Sequence, residues 1–107
     1  MLIISSLSLE YVHVPVSATS SGVDIDPTGD PVALAFVAQG TTPAPTDFKT
    51  GSWLQDLTTI PTTHLARALV GPSPGVITLA PGLFDCWIRV TDSPEVPIKK
   101  AGPVRVI

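Results

Sequence analysis

The chain has 107 residues, a formal net charge of −3 and only 14% charged side chains, against roughly 25% in ordinary soluble domains. That length holds one domain with a modest core, and six Lys and Arg leave no electrostatic footprint for nucleic acid. Twelve scattered prolines argue against long helices and collagen alike, and one cysteine excludes an intramolecular disulfide framework.

The predicted elements are short strands. Met1–Ser6 is an arm, apolar at Leu2, Ile3 and Ile4, without the basic flank or the length of a signal peptide or membrane span. Leaving it in water is costly, so it reads either as a contact arm or as an ordinary first strand. Ser8–Ser17 has Val12, Val14 and Val16 on one face and Leu9, Tyr11 and His13 on the other. Pro15 places that strand at an edge or a bend, because a central strand needs every N–H. Ala18–Gly22 reads as a loop, Val23–Ile25 as a short strand, and Asp26–Pro31 as a turn.

Val32–Ala38 is apolar on both faces, which predicts a strand covered on both sides. Gln39–Gly51 is rich in Thr, Pro, Ala and Gly and predicts a long irregular connection. Trp53, Leu54 and Leu57 suggest a short strand with Trp53 in the core, and Thr58–Thr63 a loop. His64–Val70 also fits a helical turn, but its proline and glycine brackets favour a strand. Val76–Leu79, Leu83–Thr91 and Pro97–Ile107 complete the set, with a bulge or bend at Gly102-Pro103. Along Leu83–Thr91, Phe84, Cys86, Ile88 and Val90 point one way and Asp85, Trp87, Arg89 and Thr91 the other. The whole predicts an all-β, immunoglobulin-like (Ig-like) antiparallel β-sandwich of seven or eight short strands, one domain over residues 1–107; the pattern does not set the strand order, for which Greek-key is the common choice among such sandwiches.

No catalytic constellation is present, so no enzyme activity and no cofactor are expected. Asp24, Asp26 and Asp30 share an Asp-Ile-Asp-Pro-Thr-Gly-Asp turn, the only candidate for calcium. Calcium wants six or more oxygens, the EF-hand spacing is absent, and Asp-Pro and Gly-Asp are ordinary turn chemistry. His13, His64 and Cys86 lack the spacing of a zinc site. Cys86 on the inward face is a small buried hydrophobe rather than a nucleophile. Gly71–Gly75 is no phosphate loop, since its prolines delete the amide donors. Trp87, out of phase with the buried face, is either an interface anchor beside Arg89 or a cover beneath the 39–51 connection. Arg89, Lys99, Lys100 and Arg105 gather near the C-terminus and read as solvated strand faces.

The segment from Pro81 to Val106, with Pro81-Gly-Leu-Phe-Asp-Cys-Trp-Ile-Arg-Val90 leading to Thr91-Asp-Ser-Pro-Glu-Val-Pro97, resembles the small Ig-like virion proteins of tailed bacteriophages, particularly those infecting actinobacteria. That segment is about a quarter of the chain. Asp26-Pro-Thr-Gly-Asp-Pro-Val-Ala-Leu-Ala-Phe36 is also similar to the start of baseplate upper-protein N-terminal domains. The resemblance implies a non-enzymatic structural protein, in the head-to-tail connector region, on the capsid surface as decoration, or in the tail. Its implied partners are other virion structural proteins in a homo- or hetero-oligomer, with no specific nucleic acid and no membrane. Its implied place is the virion, assembled in the host cytoplasm. Leu2, Ile3, Ile4, Trp87 and Arg89 are the expected contacts. The rival reading is a carbohydrate- or calcium-assisted binding module resting on the Asp24–Asp30 turn and the tryptophans.

Overall fold

A computed structural model describes residues 2–16, 18–20, 23–25, 27–56, 63–91 and 96–107, leaving aside the side chains of 18–20, 23–25, 56 and 63. The described strands are β1 (Leu2–Ile4), β2 (Glu10–Val16), β3 (Ala18–Ser20), β4 (Val23–Ile25), β5 (Val32–Ala38), β6 (Lys49–Thr50), β7 (Ser52–Asp56), β8 (Thr63–Val70), β9 (Gly82–Val90) and β10 (Ile98–Val106). Among the described residues the only helical elements are the single 3-10 turns Pro27–Gly29 and Pro45–Asp47.

Eight of the strands build two sheets, in the orders β1-β10-β9-β5-β6 and β2-β8-β7. In immunoglobulin terms β2, β8 and β7 are the B-E-D sheet, while β5, β9 and β10 are the C-F-G set. The chain leaves the second sheet after β2, returns for β7 and β8, and closes on the first with β9 and β10. This strand order is that of a Greek-key sandwich. One pairing departs from an all-antiparallel plan. β1 runs parallel to β10, with Ile3 opposite Arg105.

Alternation explains which side chains meet between the sheets. Leu34 is fully buried, and Val12, Ala66, Val70, Cys86, Ile88, Val104 and Val106 close around it. β2 is an edge strand, as Pro15 requires, and pairs only with β8. The final strand bulges between Lys100 and Gly102, as expected at Gly102-Pro103. Gly102 takes φ +153° there with open space around it, so backbone conformation rather than crowding favours glycine.

Two expectations change. Ala18–Ser20 is not a plain loop but pairs with β4 as a small hairpin, Ala18 opposite Ile25. Its Ser and Thr side chains offered no alternation to read. Val76–Leu79 is not a strand. It makes a single parallel bridge, Ile77 to Val70, and the Gly71 N–H donates to the Ile77 carbonyl. Leu57 and most of the 58–63 segment lie outside the described residues.

Candidate interface

The outer face of the five-stranded sheet carries three of the residues expected to make contacts, Ile3, Trp87 and Arg89. Pairing across β9 places Arg89 opposite Ala33, Trp87 opposite Ala35 and Asp85 opposite Val37. The two alanines are small enough for the 39–51 connection to settle on the sheet. Phe48 comes down there, buried with Ala33 and Ala35, and Trp87 packs against the three.

Polar groups hold both ends of that connection. Asp85, only 3% exposed, accepts the Gly40 N–H at 3.0 Å through Oδ2, and Lys100 Nζ stands 3.5 Å from the same oxygen. At the far end Arg89 Nη1 donates to the Pro45 carbonyl at 3.4 Å, with its guanidinium 4.7 Å above the Phe48 ring. Trp87 lies beneath, with Lys100 Nζ 5.8 Å from its ring. Its indole Nε1 is buried without a hydrogen-bond partner among the described residues. Of the two readings given for Trp87, its packing against Phe48 matches the cover beneath the 39–51 connection. Trp87 and Arg89 are both half-buried and engaged by the chain's own loop.

The arm separates residue by residue. Ile4 is 5% exposed and belongs to the main core, so it is not a surface contact as expected. Its place opposite Val106 turns it between the sheets. Leu2 and Ile3 remain exposed, Ile3 at 57%. Arg105 lies between Ile3 on β1 and Leu83 on β9, so these three share one face. The turn after β1 continues the surface. Ser8 N–H closes on the Ser5 carbonyl, Ser6 N–H reaches the Ile107 carbonyl, and Leu7 stands out at 88% exposure.

The 71–76 loop abuts that turn. Gly71 has φ +140°, and a Cβ on it would lie 2.2 Å from the Ser8 carbonyl oxygen, so only glycine permits this approach. Six of the eleven large exposed apolar residues, Ile3, Leu7, Leu9, Val76, Leu83 and Ile107, thus gather at one end of the sandwich. No charged side chain occurs in residues 1–9 or 68–84. These exposed apolar residues, with Arg105 between Ile3 and Leu83, form the candidate interface. Leu7, Leu83 and Ile107 escaped the sequence reading because only the fold brings a turn, a strand start and residue 107 together.

The remaining candidates are quieter. Asp30 sits in the turn after Pro27–Gly29, and its carbonyl accepts Trp53 Nε1–H at 2.8 Å. Trp53 packs against the core, as expected. Asp26 and the Asp24 side chain lie outside the described residues, and no group of three His, Cys, Asp or Glu that could hold a metal occurs among the described ones. Cys86 is free and buried, and burial pushes its thiol up to about 12. Between β2 and the first half of β10 the sandwich opens into a groove of about 500 Å³, lined by Val14, Val16, Ile88, Val90 and Lys99 among others. Comparison with protein-family models, curated proteins and solved structures finds no match.

Proposed function

We propose that this chain is a non-enzymatic structural subunit of a tailed-phage virion, acting in the head-to-tail connector region, as capsid decoration or in the tail. It holds neighbouring subunits through its apolar end, its open strand edges and its first strand. The observation that carries this reading is the gathering of Ile3, Leu7, Leu9, Val76, Leu83 and Ile107 at one end. Burying such side chains against a neighbour releases roughly 25 cal/mol per Å² of apolar surface and demands no compensating charge. The Pro81–Val106 resemblance supplies the setting. An interface of this make-up supports assembly rather than turnover, because most of its exposed residues are apolar anchors.

The test is association with the particle. Particles from cells that produce the chain are purified on a density gradient, washed at high salt, and assayed by quantitative mass spectrometry. The chain is expected at a fixed ratio to the main shell or tail protein. Its loss in the wash, or saturable heat on titration with calcium or glycans, would turn the reading towards the binding module.

A further inference from the structure

Among the described residues the two sheets end on four edge strands, β1 and β6 in one, β2 and β7 in the other. An open edge presents unpaired N–H and C=O groups, and natural sheets blunt it with charge, proline or bulges. β2 carries Glu10 and Pro15, β6 carries Lys49, and β7 ends on Asp56. The stretch of β10 that β1 does not cover carries Lys99, Lys100 and the bulge. β1 alone, Leu2-Ile3-Ile4, has no charge, no proline and no bulge. Its protection is length only, and it adjoins the apolar end that Leu7 and Ile107 share.

We propose that β1 is a homophilic edge, on which two copies of this chain pair antiparallel about a two-fold axis and join their larger sheets. Only extended backbone satisfies a row of unpaired backbone groups, which selects a strand as the occupant. A two-fold contact sets each residue against its own equivalents, so a patch of one charge sign would repel itself. The Leu2–Leu9 segment brings no charged side chain to the axis, and the charge on the face of Ile3, Arg105, lies one strand inward on β10. Ile3, central in β1, meets its own equivalent, and Leu7 flanks the axis. The inference rests on the reading of the chain as an assembly subunit and names that subunit's first partner.

The experiment measures the mass of the purified full chain by light scattering across a concentration series. The expected mass at high concentration is twice the 11.2 kDa of one chain. Ile3→Lys, at an exposed position, returns it to one chain while the circular dichroism spectrum stays unchanged. Leu54→Lys, on the edge of the other sheet, leaves the dimer intact. Ile3→Cys forms a disulfide-linked dimer on mild oxidation, whereas the wild type, whose Cys86 is buried, does not. A wild-type chain that is monomeric throughout overturns the proposal, as does a dimer that Ile3→Lys leaves whole. A monomer still retained on washed particles overturns the two-fold pairing alone and leaves the assembly reading standing.

Discussion

The two faces of the β5–β9 pair are buried by different means. On the inner face Leu34, Cys86 and Ile88 meet Val12, Ala66 and Val70 from the other sheet, an apolar layer. On the outer face Ala33, Ala35 and Trp87 are covered by a loop that brings Phe48 down on them, held at one end by Asp85 and at the other by Arg89. The first kind of burial is non-directional and scales with area. The second depends on a few placed bonds, each of which can be removed singly. One pair of strands therefore separates global stability from the local order of a surface loop.

Leu34→Ala should sharpen that contrast most, costing about 3 kcal/mol in urea unfolding through lost transfer energy and the cavity left behind. Its amide-exchange signature is a uniform loss of protection over both sheets. Asp85→Ala comes next, at about 2 kcal/mol, because the Gly40 N–H loses its acceptor and Lys100 its partner. Here faster exchange should concentrate in residues 40–48. A uniform loss would show that the loop is no separate unit. Arg89→Ala should cost about 0.5–1 kcal/mol, the scale of an exposed cation–π contact, and loosen only the Pro45–Phe48 end.

At neutral pH the smallest effect belongs to Cys86. Below pH 9 its thiol is protonated in both folded and unfolded chains and adds no pH dependence. Above that the unfolded thiol ionises while the folded one, pushed up to about 12, does not, so stability falls as pH climbs through this window. Cys86→Ala should remove that slope, and a thiol reagent at pH 8 should label the wild type only on unfolding. Rapid labelling of the folded chain would break the picture of a dry inner face.

Alternation made the inner face legible in advance. Val12, Cys86 and Ile88 are where period two puts them, Pro15 marked an edge or a bend, and Val32–Ala38, apolar on both faces, announced a strand covered on both sides without saying which side Leu34 takes. The outer face was legible only in direction. Asp85 was assigned to the side of Trp87 and Arg89, yet its burial follows from a loop that begins forty-five residues earlier in the chain. No local pattern reports such a cover. An aspartate inside a strand, a position this residue type disfavours, was the available hint. The same limit hid the apolar end. Leu7 reads as an ordinary turn residue until the fold sets it beside Ile107.

The bulge in β10 has a consequence for the tolerance of that strand to length change. Lys100 lies opposite Trp87 and Gly102 opposite Cys86, neighbours on β9, so Ala101 is the supernumerary position. Excising Ala101 would leave every other side chain of β10 on its present side, whereas deleting Arg105, between the buried Val104 and Val106, would turn part of the strand inside out. Ala101 is thus the natural place for this strand to gain or lose a residue without scrambling the layers it separates.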